Sequence, residues 1–168
     1  MVIVNTGDGK GKSTAAMGMV MRAVARHWKV AVVQFIKSGD WKVGEEKVGR
    51  GLGVDWDAVG DGFSWDSEDL DRSAGLARDA WRLAKGRIEA GHHRLVVLDE
   101  ITYPINWGWI DGDEVVSTIV DRPSKVNVVV TGRDAPDRLI EMADTVTEMT
   151  LVKHAYDRGI TAIRGIDF

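Results

Sequence analysis

Glycine and lysine residues crowd into one short segment near the start of the chain: Thr6, Gly7, Asp8, Gly9, Lys10, Gly11, Lys12, Ser13 and Thr14. Glycines let backbone N–H groups converge on an anion, and a helix that begins near Lys12 adds its N-terminal partial positive charge. Lys12 would then reach a phosphate oxygen, and the Ser13 hydroxyl would bind Mg²⁺. The strict pattern G-x-x-x-x-G-K-[ST] requires glycine where Thr6 stands, and Gly7 supplies the early glycine instead. The segment therefore predicts a variant phosphate-binding loop.

Two carboxylates end a strongly apolar run later in the chain, where Asp99 and Glu100 follow Leu95–Leu98. In a phosphate-loop protein the first acid at such a strand end holds Mg²⁺ through water or near Ser13, and the second often acts as a base or orients a group. Arg133 directly follows another apolar run, Val126–Val130, and its guanidinium suits a phosphate clamp. The alternative interpretation is plainer: solvated or capping carboxylates at a strand end and an arginine in a surface turn.

Apolar, β-branched runs predict the strands that carry these residues. Their hydrophobicity is continuous, as in strands buried on both faces of a parallel sheet. The stronger runs are Val2–Val4, Val30–Phe35, Leu95–Leu98 and Val126–Val130, and the weaker ones are Gly53–Val59, Thr145–Leu151 and Ala162–Ile166.

Helical patterns fill the gaps between the runs, at Ser13–Arg26, Ser67–Ala90, Asp113–Val120 and Pro136–Ala143. The second has the clearest apolar stripe, with spacings of three and four residues from Leu70 to Ile88. Strands alternating with helices predict an α/β fold: a three-layer, phosphate-loop NTPase-like (RecA-like) domain with a mostly parallel sheet.

Length and composition limit the classes of protein that the chain can belong to. Its 168 residues predict one domain over 1–168. The net charge of −4 disfavours nucleic acid as a main partner. Cysteine is absent, which excludes thiolate chemistry and is compatible with the cytoplasm. No run approaches the roughly 20 apolar residues of a membrane span, and the strand-like opening at Met1 indicates no signal peptide.

Further segments, taken with the loop and the acidic strand end, resemble the corrinoid (cob(I)alamin) adenosyltransferases of the phosphate-loop type. A phosphate loop that is one residue short is itself a trait of that family. The matching segments occur in the family's order and cover nearly the whole chain: Thr6–Thr14, Val32–Lys37, Gly62–Trp65, Val96–Tyr103, Thr131–Arg133, Ala143–Glu148, Val152–Ile160 and Gly165–Phe168.

The resemblance implies an enzyme that transfers the 5′-deoxyadenosyl group of ATP to the cobalt of a Co(I) corrinoid and releases triphosphate, in cobalamin biosynthesis or salvage. Residues 6–14 and Arg133 would bind ATP. Ser13, Asp99 and Glu100 would hold Mg²⁺, while Lys12 would neutralise the leaving group.

Other implied features lie away from the phosphate loop. Phe63 and Trp65 match the family segment that displaces the lower axial ligand of cobalt, which makes Co(II) easier to reduce. Packing or nucleotide contact suits His154 better than cobalt ligation. The family also implies an electron donor and a homodimer. Because Met1 precedes Thr6 by only five residues, we expect either an open site or one covered by a partner subunit.

Two other functions remain compatible with the residues alone. One is a generic ATPase or phosphoryl-transfer enzyme in which Glu100 is the base. The other is a non-catalytic carrier of a corrinoid or a nucleotide. The products distinguish them: triphosphate for adenosyl transfer, ADP and phosphate for the ATPase, and no turnover for the carrier.

Overall fold

The structure, a computed structural model, describes residues 1–38, 44–60 and 70–167. The strands are β1 (Val2–Thr6), β2 (Val30–Ser38), β3 (Asp55–Gly60), β4 (Leu95–Asp99), β5 (Asn127–Thr131) and β6 (Thr145–Glu148). The helices are α1 (Lys12–Val24), α2 (Gly44–Gly51), α3 (Leu70–Ala90), α4 (Thr102–Asn106), α5 (Gly112–Val120), α6 (Asp137–Met142) and a 3₁₀ helix at Ala155–Arg158.

The strands of these described ranges form one six-stranded sheet in the order β3-β2-β4-β5-β1-β6. Every pair of neighbours is parallel, so the carboxyl ends of all these strands meet at one edge. The inner strand β4 is buried at all five positions, which explains its uninterrupted apolar sequence. The edge strand β6 is exposed at all four positions.

Helices cover both faces of the sheet and create an apolar core on each. On one face α1 packs Ala16, Met17 and Val20 against Val32 and Val97. On the other face α3, α5 and α6 pack against the alternate residues of the same strands, through Ala77, Trp81, Ile88, Val115, Ile119, Leu139, Val33, Val96, Leu98, Val128 and Val130. The predicted three-layer α/β architecture is therefore confirmed.

Most predicted elements form, with corrections at several positions. Ala162–Ile166 is not a strand; it lies in the irregular segment that follows the 3₁₀ helix. The apolar stripe of α3 is buried from Ala74 to Ile88, but Leu70 is 57% exposed because it lies at the first residue of the helix. The short helices α2 and α4 were not predicted, because neither is long enough for a helical repeat to stand out.

His93 differs from its exposed chain neighbours His92 and Arg94. It is buried, and its Nε2 lies 2.7 Å from Asp55 Oδ2. Both residues adjoin the amino ends of strands, at the sheet edge opposite the phosphate loop. Within the described ranges, no helix has the length and apolar character needed to cross a membrane.

Candidate active site

The carboxyl ends of three adjacent strands bring the predicted site residues together. β1 ends at Thr6, β4 at Asp99 and β5 at Thr131, and ligands of parallel α/β sheets bind at this edge. A cavity of about 520 Å³ lies beside the phosphate loop. Its described lining residues are Asp8, Gly9, Lys10, Gly11, Lys12, Ser13, Thr14, Glu45, Glu100, Tyr103, Arg133, Leu151, His154, Tyr156, Asp157, Ile166 and Asp167.

The phosphate loop turns directly into α1. Gly11 precedes the helix with a φ of +113°, a conformation that L side chains rarely adopt. The Lys12 ammonium folds back over the loop, where Nζ donates to the carbonyl oxygens of Gly7 at 2.6 Å and Gly9 at 2.8 Å. Burial, followed by the nearby charge of Arg133, lowers the pKa of Lys12. The loop therefore concentrates positive charge where its amides and the helix N-terminus converge.

The two acids at the end of β4 have different surroundings. Asp99 is fully buried, and its carboxylate accepts hydrogen bonds from Thr131 Oγ1 at 2.8 Å and Gln34 Nε2 at 2.9 Å. Glu100 lines the cavity and has a φ of +66°. A non-glycine residue in this conformation costs about 1–2 kcal/mol, and such strain concentrates at functional sites.

The turn after β5 requires glycine and directs Arg133 to the cavity. Gly132 has a φ of +146°, and a Cβ there would overlap the Thr102 hydroxyl of α4. Arg133 Nη1 lies 3.6 Å from Asp8 Oδ1. The Asp8 carboxylate of the loop is thus close to the guanidinium that was predicted to clamp a phosphate.

The segment after β6 lies against the phosphate loop, which the sequence did not predict. Gly9 N–H donates to the Met149 carbonyl oxygen at 2.6 Å, and Met149 N–H donates to the Thr6 carbonyl oxygen at 2.8 Å. Farther along, Lys10 forms an ion pair with Asp167. The segment from Met149 to Asp167 therefore forms one wall of the cavity.

His154 begins the 3₁₀ helix in that wall. Its Nδ1 accepts a hydrogen bond from the Tyr156 N–H at 3.1 Å, and its own N–H donates to Asp157 Oδ2 at 3.3 Å. His154 and Tyr156 both line the cavity. The role of His154 in packing or nucleotide contact stays a prediction.

Three aromatic side chains cluster on α4 and the turn that follows it, and one of them, Tyr103, lines the cavity. The rings of Tyr103 and Trp107 have centroids 5.6 Å apart, and those of Trp107 and Trp109 are 4.6 Å apart. Burial raises the pKa of the Tyr103 phenol, which lines the cavity. Tyr103 was not predicted as a site residue, although it ends the segment Val96–Tyr103 that carried the resemblance.

The structure brings most predicted site residues to one cavity. The described lining contains the loop from Asp8 to Thr14 together with Glu100 and Arg133. Thr6 and Gly7 instead shape the loop: the Thr6 hydroxyl accepts from Ala135 N–H at 3.1 Å, and the Gly7 carbonyl oxygen accepts from Lys12. Asp99 is buried next to Glu100 and is not part of the described lining. Phe63 and Trp65 fall outside the described residues.

The oxygen ligands that line the cavity are too few to hold a magnesium ion by themselves, and they suit one that is also bound by phosphate oxygens. The Ser13 hydroxyl and the Glu100 carboxylate belong to the same lining, and Mg²⁺ prefers oxygen ligands. Among the described residues, no group of three or more His, Cys, Asp or Glu side chains is assembled to hold a metal. This arrangement matches Mg²⁺ sites that use one or two protein ligands plus substrate phosphates.

Comparisons with known proteins show the family of the chain. The family model described as ATP:corrinoid adenosyltransferase BtuR/CobO/CobP matches residues 1–168. A corrinoid adenosyltransferase of Pseudomonas aeruginosa is 44% identical over 170 residues, covering all of this chain and 83% of the relative. One of Escherichia coli K12 is 40% identical, and Corrinoid adenosyltransferase CobA of Salmonella typhimurium is 38% identical, each covering all of this chain and 85% of the relative. The chain therefore belongs to the ATP:corrinoid adenosyltransferase family.

Proposed function

We propose that the chain transfers the 5′-deoxyadenosyl group of ATP to the cobalt of a Co(I) corrinoid in the cavity beside the phosphate loop. The observation that carries the assignment of the site is the convergence of Lys12, Arg133, Ser13 and Glu100 on that cavity. ATP-dependent adenosylation of corrinoids is the activity of the family. Phosphoryl transfer is not favoured.

The reaction determines what the residues must do. The electron pair of Co(I) attacks the ribose C5′, the Co–C bond forms, and the C5′–O bond breaks with its electrons leaving on triphosphate. No proton has to be removed from a nucleophile, so the mechanism needs no general base. The protein must hold C5′ in line with cobalt and stabilise the leaving polyanion.

Lys12 and the loop amides stabilise that polyanion. The ammonium lies over the Gly7 and Gly9 carbonyl oxygens, within the loop whose amides would bind the phosphates. Arg133 adds a second cation at the cavity. Stabilisation of developing charge by fixed groups of this kind usually contributes more to catalysis than any other single effect.

Ser13 and Glu100 are the residues that would hold Mg²⁺. When bound with the nucleotide, the ion would neutralise phosphate charge as the leaving group develops. Asp99, fully buried beside Glu100, would contribute its charge through its hydrogen bonds or through water. Glu100 thus has an electrostatic role here and not that of a base.

The remaining parts of the proposal come from the family resemblance. Phe63 and Trp65 would displace the lower axial ligand of cobalt and so ease reduction of Co(II). An electron donor would supply Co(I), and the chain would act in the cytoplasm as a homodimer.

Product analysis with a chemically reduced corrinoid tests the proposal. We expect triphosphate and an adenosylated corrinoid in equal amounts. Lys12→Ala should lower kcat/KM by about 10²–10³ because a cation aimed at developing charge is lost. Lys125→Ala is the matched control, since Lys125 is exposed at the opposite sheet edge. Formation of ADP and phosphate, or a folded Lys12→Ala variant that keeps more than a tenth of the activity, would contradict the proposal.

A further inference from the structure

Four buried polar side chains, one from each of four neighbouring strands, form a continuous hydrogen-bonded row across the sheet. Trp56 of β3 donates its Nε1–H to Gln34 Oε1 of β2 at 3.0 Å. Gln34 Nε2 donates to Asp99 Oδ2 of β4 at 2.9 Å, and Thr131 Oγ1 of β5 donates to Asp99 Oδ1 at 2.8 Å. All four are at most 2% exposed. None of them is among the described residues that line the cavity.

The direction of each hydrogen bond in this row follows from the groups at its two ends. An indole N–H can only donate, so Gln34 must turn its carbonyl oxygen toward Trp56 and its NH₂ group toward Asp99. At the other end Thr131 Oγ1 accepts the backbone N–H of Glu100 at 2.9 Å, so its own hydrogen is available for Asp99. Both donors therefore converge on the Asp99 carboxylate.

Thr131, the last side chain of the row, connects it to the Glu100 backbone. Glu100, unlike Asp99, belongs to the described lining of the cavity. Thr131 is bonded to both Asp99 and the Glu100 N–H, so it ties the end of β4 to the end of β5. Glu100 has a left-handed backbone with a φ of +66°, which persists only where the surroundings over-determine it. The Thr131 hydroxyl is one of the contacts that hold this backbone in place.

We propose that Gln34, Trp56 and Thr131 are positioning residues that set the orientation of the Glu100 carboxylate toward the Mg²⁺–nucleotide. This inference rests on the proposed function, because it takes Glu100 as a magnesium ligand. The positioning residues act through Asp99 and the Glu100 backbone and touch neither nucleotide nor metal. Groups that orient metal ligands in this way commonly affect metal affinity by about 10–100-fold.

Nucleotide binding without a corrinoid gives the cleanest test, since no turnover occurs. ATP affinity is measured by calorimetry across a Mg²⁺ titration. Thr131→Val is nearly isosteric but removes the hydroxyl, and we expect it to need about tenfold more Mg²⁺ for half-maximal tightening of ATP binding. Thr131→Ser keeps the hydroxyl and should restore the wild-type titration to within about twofold. Thr118→Val, at a buried threonine of α5, controls for loss of a buried hydroxyl.

A pair of tryptophan variants tests the far end of the row. Trp56→Phe removes the N–H that orients the Gln34 amide. We expect this variant to need about threefold more Mg²⁺ for half-maximal tightening of ATP binding. Trp81→Phe is the control, because the Trp81 N–H also bonds a carboxylate, Glu114 Oε2 at 3.0 Å, but outside this row. A shift in Trp56→Phe without one in Trp81→Phe supports the proposal, and equal shifts in the two variants would contradict it.

Glu100→Gln separates failure of the proposed function from failure of the positioning role. If it leaves the Mg²⁺ titration unchanged, the proposed metal role of Glu100 is wrong. If it shifts the titration while Thr131→Val does not, the metal role stands and the positioning proposal is overturned. Equal shifts in Thr131→Val, Thr131→Ser and Thr118→Val would also overturn it, because they would reflect stability alone. Thermal melting of every variant is recorded beside the titrations.

Discussion

Each lysine and arginine in the described lining of the cavity already has an oxygen partner within the protein. Lys12 donates to two loop carbonyl oxygens, Lys10 pairs with Asp167, and Arg133 lies near Asp8. A bound polyphosphate must compete with these partners, so we expect Asp8 and Asp167 to lower its affinity. Asp8 is the better residue for testing this competition, because it belongs to the phosphate loop itself.

Replacing Asp8 by Asn should tighten ATP binding when Mg²⁺ is absent. The substitution removes a negative charge beside the phosphates and releases Arg133, whose Nη1 lies 3.6 Å from Asp8 Oδ1. Both side chains are largely exposed, so we expect a gain of about two- to fivefold. ATP dissociation constants in EDTA and in excess Mg²⁺ measure it, and Mg²⁺ should shrink the difference by neutralising phosphate charge.

Asp79→Asn is the matched control for Asp8→Asn. It makes the same change of net charge on the exposed side of α3. If the two variants tighten binding equally, overall charge is the cause and the local interpretation fails. Weaker binding by Asp8→Asn would contradict it as well.

At the scale of elements, the phosphate loop and the segment after β6 are packed backbone against backbone. Main-chain hydrogen bonds join Met149 to Thr6 and Gly9. A Cβ on Gly9 would lie 2.7 Å from the carbonyl oxygens of both Met149 and Thr150. Since these are backbone atoms, no side-chain rotation would relieve the overlap.

Gly9→Ala should therefore loosen the C-terminal segment from the loop. We expect a loss of about 1–3 kcal/mol in unfolding free energy and faster amide hydrogen exchange at Met149. Gly86→Ala provides the contrast, because among the described residues no heavy atom outside its chain neighbours and the α3 backbone lies within 4 Å of the added Cβ. It should stabilise the protein by about 0.5–1 kcal/mol through helix propensity. Unchanged exchange at Met149 in Gly9→Ala would refute this packing effect.

At the scale of the whole molecule, the carboxyl and amino edges of the sheet carry different groups of charged residues. The carboxyl edge carries the phosphate loop, Glu100 and Arg133. The amino edge carries a separate charge cluster, in which Asp55 lies 2.7 Å from His93 and 3.5 Å from Lys29. Substitutions in that cluster should change stability without changing nucleotide binding.

Asp55 should contribute to the acid sensitivity of the fold. The hydrogen bond from His93, then the charges of Lys29 and Arg87, lower the pKa of Asp55 from its ordinary 3.8. Because the folded protein binds the proton less readily than the unfolded chain, this stabilisation is present above about pH 3.8 and is lost as pH falls through the folded pKa. The difference in unfolding free energy between wild type and Asp55→Asn should accordingly shrink below that pH.

Urea unfolding at a series of pH values measures this difference. Asp121→Asn, at the exposed C-terminal end of α5, serves as the control for the change of net charge. ATP affinity of Asp55→Asn at neutral pH should equal that of wild type. A stability difference that grows as the solution is acidified would reverse the assigned sign.

Features that depend on neighbours in the chain were predictable from sequence. The phosphate loop is such a case, since its glycines, Lys12 and Ser13 lie within a few residues of one another. The carboxylates at the carboxyl end of β4 are another, because Asp99 and Glu100 directly follow its apolar residues in the chain. The continuous apolar runs then predicted that the strands pair in parallel. Parallel strands bring Glu100, Arg133 and the phosphate loop to the same edge of the sheet.

Features that depend on strand register and on the path of the chain after β6 required the tertiary structure. Gln34 meets Asp99 because β2 and β4 pair in that register, and Met149 covers Gly9 because β6 lies beside β1. His93 is buried against Asp55 because the segment before β4 lies beside the start of β3, although its sequence surroundings are polar. Local sequence encodes which residues a strand or loop contains, whereas the shift of one strand against another decides which polar side chains become partners.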